Sequence, residues 1–274
     1  MPDMSSSENV PQPSRIVDAT RHSVALDLFA CLVSAEETRR DEDRQKRPKD
    51  VAEFEKTYFG PEVGPIRRCF EAKMHRALGR GGALLDYGCG GVWWKDRYWN
   101  TADNVTGVEV DRGALEEIEA AFPKASLLYT STGIVETERR FDTVLSSSVV
   151  GYILPEQADH HLRSCFELLK PGGRLILTRV LAYGLIPLLR SHRLVHVRGG
   201  SFVYHYTKHE LIDALKSCGF INIKYHHLGV RLPLISWATQ QKLYALAPIL
   251  MTEVLPRILP FLRIQHMLTC EKPH

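Results

Sequence analysis

The chain has 274 residues, of which 44% are hydrophobic and 24% charged, the balance of a globular protein with a sizeable core rather than of a disordered one. Lys and Arg number 35 against 32 Asp and Glu, a net charge of +3 that is too small to mark a nucleic-acid partner by itself. The six cysteines form no CxxC pair and no zinc spacing, so they read as reduced thiols of a cytosolic protein, and no metal site is expected.

Residues 1–15, which begin MPDMSSSENVPQPS, lack a charged start followed by an apolar run, and read as a flexible tail rather than a secretory signal. From Ile16 to about Leu78 the pattern is helical. VALDLFACLV gives an apolar face, and EETRRDEDRQKRPKD then packs 12 charges of mixed sign into 15 residues, a solvated helix end or loop. EFEKTYFGPEVGPIRRCFEAKMHRAL resumes the helical rhythm after a Pro/Gly break at 60–65. Residues 16–80 are therefore expected to form an N-terminal helical extension.

From Ala83 to about Lys224 the rhythm changes to short apolar runs separated by helical stretches: ALLDYG, NVTGVEV, SLLYT, FDTVLSS, GRLILTRV and INIKYH. Strands alternating with helices need crossover connections, which predicts a mostly parallel sheet covered on both faces. From Leu228 the chain is apolar and punctuated by prolines at 233, 248, 256 and 260, then reaches IQHMLTCEK, a last strand. Its uncharged stretch LYALAPILM is far shorter than the roughly 20 residues that span a bilayer. Short helices are the expected form, as cover for a pocket, as a dimer contact, or as a weak membrane-surface contact.

The densest signal is LLDYGCGG. An apolar strand that runs into glycines delivers the chain to a tight turn where backbone comes close to a ligand, at the carboxyl end of the first strand of the sheet. The spacing is Asp86-x-Gly88-x-Gly90; the third glycine of a dinucleotide loop is missing, because position 93 is Trp. Glu109 ends the next strand, where a carboxylate can accept hydrogen bonds from both hydroxyls of a ribose. A ligand with an adenosine part and no required pyrophosphate fits this pair.

LLDYGCGG, VTGVEVDRGAL, FDTVLSSSVVGYI and LLKPGGRLILTRV, in this order and at these intervals, resemble the successive motifs of the class I S-adenosylmethionine-dependent methyltransferases. The similarity is closest to the small-molecule branch of quinone and natural-product enzymes, and runs from Leu84 to Phe220, with YTKHELIDALKSCGF resembling that branch's late helix. It implies an α/β fold: a Rossmann-like, mostly parallel seven-stranded sheet with helices on both faces. Residues 16–80 would cap the acceptor side, and the methyltransferase domain would occupy 81–274 with a helical insertion at about 230–262. The implied cofactor is S-adenosylmethionine, with S-adenosylhomocysteine as product. Gly88 and Gly90 would let backbone approach its methionine part, Asp86 would orient that loop and the amino group, and Glu109 would hold the ribose. Ser131, Thr132 and Gly133 would flank the adenine, where the family often has Asp. Ser146 and Ser147 would lie beside the amino acid portion, Tyr58 would close over the cofactor, and Trp93 and Trp94 are either pocket wall or packing.

Methyl transfer from a sulfonium is an in-line displacement, so its rate comes mainly from holding the acceptor close and aligned. A general base matters where the acceptor must lose a proton, and histidine suits that near neutral pH. His160 and His161 follow the fourth strand of the pattern. LLRSHRLVHVRGGSFVYHYTKHE holds four histidines and three arginines in 23 residues. His192, His196 and His205 are candidate bases there; Arg190, Arg193 and Arg198 can pair with an acidic acceptor, or the segment is an exposed basic lid. The catalytic expectation rests on His160, His161 and His205. The expected activity is methylation of a small, fairly hydrophobic acceptor; the other reading is a non-catalytic cofactor-binding scaffold. The expected partners are that small molecule, no nucleic acid, and a homo-oligomer left open.

Overall fold

The computed structural model describes residues 16–18, 64–90, 95–153, 155–178, 194–196, 202–204, 206–227, 229–230, 232, 235–259, 262 and 266–274. Ten strands are described in chain order: β1 (Ile16–Asp18), β2 (Ala83–Tyr87), β3 (Asn104–Glu109), β4 (Ser126–Tyr129), β5 (Phe141–Ser147), β6 (Leu169–Thr178), β7 (Leu194–His196), β8 (Phe202–Tyr204), β9 (Ile221–His227) and β10 (His266–Glu271). Eight of them form one sheet in the order β1-β4-β3-β2-β5-β6-β10-β9, while β7 and β8 pair as a separate antiparallel hairpin. β10 runs antiparallel to both of its neighbours, and the remaining pairs of the large sheet are parallel.

The described helices are α1 (Gly64–Leu78), α2 (Lys95–Tyr98), α3 (Arg112–Ala121), α4 (Pro155–Leu168), α5 (Lys208–Ser217), α6 (Trp237–Leu246) and α7 (Leu255–Ile258), with a π-helical turn at Leu250–Val254. Side-chain caps set three of their starts, one of them Ser236, which accepts the Thr239 N–H at 3.2 Å before α6. Asp111 caps α3 by accepting the Gly113 N–H at 3.0 Å. Thr207 and Glu210 satisfy each other's backbone amides in a capping box that opens α5.

Parallel strands buried on both faces need apolar residues in succession. Leu84 and Leu85, Val144 and Leu145, and Leu175 and Ile176 are all almost fully buried, and each pair divides between two core clusters. One cluster packs Leu85, Val144 and Leu175 beneath α4 and α5; the other packs Leu84, Leu145 and Ile176 beneath α1 and α3. The connection from β2 passes to β3 on one side, whereas β5 lies on the other side of β2. This reversal falls at the carboxyl ends of β2 and β5, the ligand position expected of an open α/β sheet.

The seven strands expected from the apolar runs are β2–β6, β9 and β10, and the insertion before the last strand is helical, comprising α6, the π-helical turn and α7. Two details differ from expectation. Ile16–Asp18 is a strand, not part of a helix, and adds an eighth member parallel to β4. KPGG does not precede β6 but forms an irregularity within it, where the pairing jumps from Phe141↔Leu169 to Thr143↔Arg174. The tail at 1–15 and most of the extension before Gly64 lie outside the described residues. Among the described residues no helix is long and apolar enough to cross a membrane.

Candidate functional site

The carboxyl end of β2 turns through Gly88 and Gly90, both with positive φ, at 72° and 63°. At Gly88 glycine is required twice, by this backbone conformation and because a Cβ would overlap Val149 Cγ2 from the segment after β5. Among the described residues, no atom lies within 4 Å of a Cβ built at Gly90. The amides of Gly88 and Cys89 both donate to the Val108 carbonyl, at 2.9 Å each, which ties the loop to the end of β3.

Glu109 closes β3 and is buried. Its carboxylate accepts N–H bonds from Gly90 at 2.6 Å on Oε2, and from Val110 at 2.8 Å and Asp111 at 3.3 Å on Oε1. The acid is thus held against the glycine loop by backbone. The Thr130 amide donates to the Glu109 carbonyl at 3.2 Å, which brings the turn after β4 alongside. In that turn Ser131 is exposed, Thr132 is half-buried, and Gly133 accepts the Tyr87 hydroxyl at 2.7 Å through its carbonyl.

Asp86 is buried, and its Oδ2 receives the Tyr98 hydroxyl at 2.7 Å, the Trp99 indole N–H at 2.9 Å and the Lys95 ammonium at 3.1 Å. Lys95, itself 1% exposed, also donates to the Cys89 carbonyl, so one ammonium clamps both the strand acid and the loop. Burial alone would lower the Lys95 pKa, but the Asp86 charge, with Tyr98 and Cys89, carries it above the ordinary lysine value. The pair is ionic.

The end of β5 divides its two serines. Ser146 is fully buried, and its hydroxyl lies 3.0 Å from His161 Nε2, while Ser147 bonds Thr178 at 2.8 Å from a half-buried position. His161 is sealed in the core with its ring edge against Tyr87, at a 4.7 Å centroid distance. Burial holds it neutral, with its pKa lowered to about 4. His160, one residue earlier on α4, is exposed. After β5, Ser148 sits at φ 65°, a left-handed conformation uncommon for a non-glycine residue, and a 3₁₀ turn at Val150–Tyr152 follows. Tyr206 donates to the Ile153 carbonyl at 2.6 Å and stacks edge-on with Tyr204 of β8, so the hairpin segment packs beside this turn.

The structure thus gathers Asp86, Gly88, Gly90, Glu109, Ser131, Thr132, Gly133, Ser146 and Ser147 at the carboxyl ends of four neighbouring strands. Tyr58, His205, Trp93, Trp94, His192, Arg190, Arg193 and Arg198 lie outside the described residues, and His196 lies on β7. Sequence reasoning missed Lys95, Tyr98 and Trp99. Their only signal is a lysine and two aromatics within 13 residues of the acid, which follows no helical or strand period.

The fold is similar to that of solved methyltransferase structures. Residues 85–177 match a family model described as a methyltransferase domain. Among curated proteins, the ubiquinone biosynthesis O-methyltransferase of Alkalilimnicola ehrlichii is 27% identical over 121 residues, covering 42% of this chain and 48% of that protein. The chain thus matches about half the length of that relative. Among solved structures, the fold is similar to that of the Burkholderia thailandensis 1,6-didemethyltoxoflavin-N1-methyltransferase bound to its acceptor and S-adenosylhomocysteine. The TM-score is 0.56 at 17% identity, with 94% of each chain covered. It is also similar to phosphoethanolamine N-methyltransferase 2 of Haemonchus contortus, with a TM-score of 0.54 at 16% identity, over 86% of this chain and 60% of that one.

Proposed function

We propose that the protein transfers a methyl group from S-adenosylmethionine to a small, fairly hydrophobic acceptor. The observation that carries this reading is the positive-φ glycine loop, with no described atom within 4 Å of a Cβ at Gly90, beside the backbone-held carboxylate of Glu109, at the point where the strand order reverses. These residues fit the cofactor's chemistry: a loop that backbone alone defines admits close approach, and a carboxylate accepts from a ribose diol. When bound, S-adenosylmethionine supplies a methyl group on a sulfonium, already activated for displacement.

The residues of this chain bind and orient. Gly88 and Gly90 would leave room for the methionine part, Glu109 would hold the ribose, and Ser131, Thr132 and Gly133 would border the adenine. Asp86 acts through Lys95, fixing the loop's path. Ser147, half-buried and bonded to Thr178, would face the methionine part, whereas Ser146, fully buried against His161, would contribute backbone only. Tyr58 keeps its proposed role of closing over the cofactor. His161 is neutral and enclosed, so its part in this proposal is to position the end of β5; His160 and His205 remain the candidate bases. Acceptor hydrophobicity is supported by the apolar insertion, by the partly exposed ring of Tyr152 directly after β5, and by the relative that acts in ubiquinone biosynthesis.

The test is turnover: the protein is incubated with S-adenosylmethionine and a panel of catechols, hydroquinones and hydrophobic amines, and S-adenosylhomocysteine is quantified by chromatography. Acceptor-dependent product with an apolar member is expected. A cofactor that binds but is never demethylated would contradict the enzyme and favour a binding scaffold.

A further inference from the structure

A cavity of about 530 Å³ lies away from the glycine loop, and among the described residues none of its walls comes from the carboxyl ends of β2–β5. Its floor follows from strand alternation. Arg174 of β6 stands opposite Glu271 of β10, and Thr269 of β10 stands opposite Lys224 of β9, all on the face that α1 covers. α1 supplies Lys73 and Arg76 from above, and Arg257 of α7 joins from the insertion.

The charge of this groove is lopsided. Among the described lining residues five cations, Lys73, Arg76, Arg174, Lys224 and Arg257, meet two carboxylates, Glu253 and Glu271, with Lys73 spending its three N–H groups on Glu253 and on the His227 and Thr252 carbonyls; the net charge of the whole chain is only +3. Both acids are already engaged. Glu253 takes Lys73 at 2.9 Å and lies 3.6 Å from Arg257, and Glu271 accepts the Asn222 amide at 2.6 Å. Arg174 spends one N–H on the Ala77 carbonyl at 2.6 Å, and Arg76 one on the Ala72 carbonyl at 3.2 Å, out of five that each guanidinium carries. The field reaches a neighbour: His226 has its pKa lowered first by burial and then by Lys73 and Lys224, against a raising effect of Glu253.

We propose that this groove binds a small, multiply charged phosphate compound, of the di- or triphosphate class, at a site separate from the proposed cofactor site. Guanidinium forks match phosphate oxygens in pairs, and several fixed cations favour a ligand that carries several charges over one carboxylate. The volume lies within the range of small-molecule sites and exceeds what a lone inorganic anion fills. The proposal stands independently of the methyl-transfer reading.

Calorimetric titration with pyrophosphate and with tripolyphosphate, at constant ionic strength of about 0.15 M to hold screening fixed, tests it. The variants are Arg76→Gln/Lys224→Gln, both exposed positions whose loss leaves the core intact, and Arg139→Gln, an exposed cation elsewhere; thermal melts verify that each folds. Saturable one-to-one binding is expected, weakened at least about tenfold, or about 1.4 kcal/mol, in the double variant and unchanged in Arg139→Gln. S-adenosylhomocysteine binding by the double variant serves as the separate readout of the proposed cofactor site, and should be unchanged. Absence of saturable binding, or equal weakening in both variants as for non-specific charge attraction, would overturn the site.

Discussion

At the scale of single residues, the two loop glycines separate folding from ligand binding. Gly88→Ala forces a side chain both into a left-handed conformation and into Val149, so it should damage the junction of β2 and β5 itself. Gly90→Ala adds a methyl where no described atom lies within 4 Å, at a strain of about 1–2 kcal/mol for the positive φ. The expectation is a folded Gly90→Ala protein, slightly lowered in melting temperature, with cofactor affinity reduced more than stability; unchanged affinity for S-adenosylhomocysteine would show that nothing approaches the loop there. His161 makes a second residue-scale prediction. Its native pKa of about 4 lies below the ordinary 6.5, so the unfolded chain binds the extra proton between those values. The stability is therefore fully present above about pH 6.5 and is lost as pH falls toward 4, by up to about 3 kcal/mol. Denaturant unfolding across that window should show a steeper loss in the native protein than in His161→Gln, which keeps a partner for Ser146 but does not titrate.

At the scale of elements, the short helix after the glycine loop is held by charge as well as by packing. Asp86 on β2 gathers Lys95, Tyr98 and Trp99 from α2 and the residues after it, and the Lys95–Asp86 pair is out of water. Removing one member of a buried ion pair strands the other, at about 3–5 kcal/mol. Lys95→Met should thus cost stability of that order in denaturant unfolding and loosen the loop that Lys95 also holds at the Cys89 carbonyl. A loss below about 1 kcal/mol would mean that Asp86 is satisfied by Tyr98 and Trp99 alone. This element was hard to read beforehand. KDRYW looks like a solvated charged turn, and only the fold turns its lysine inward. The strands were legible because parallel strands buried on both faces must be apolar in succession, as LLDY, VLSS and LILT are. Ile16–Asp18 was not, because three residues carry no period and their strand character comes from the exposed edge of β4. The serines at the end of β5 show a different limit: composition places them at the strand's carboxyl end, but alternation sends neighbouring side chains to opposite faces, and one hydroxyl is consumed by His161.

At the scale of the whole molecule, the reversal of strand order between β2 and β5 concentrates the loop, the acid of β3, the turn after β4 and the end of β5 at one rim of the sheet. The acids and glycines of that rim were readable from spacing; the partners that hold them, Lys95 for Asp86 and the Gly90 amide for Glu109, are products of the folded chain. The antiparallel β10 and the helical insertion before it extend the sheet away from this rim and build the basic groove on its flank. One chain therefore brings together a rim of glycines and a carboxylate and, on its flank, a concavity lined by cations. The proposed cofactor site is the rim. Calorimetric titration of S-adenosylhomocysteine into the native protein and into Glu109→Gln tests it most directly. Saturable binding at one site per chain is expected, weakened by about 1–3 kcal/mol in the variant as the ribose hydroxyls and the Gly90 amide lose a charged acceptor. Absence of binding to the native protein, or equal affinity in the two proteins, would contradict it.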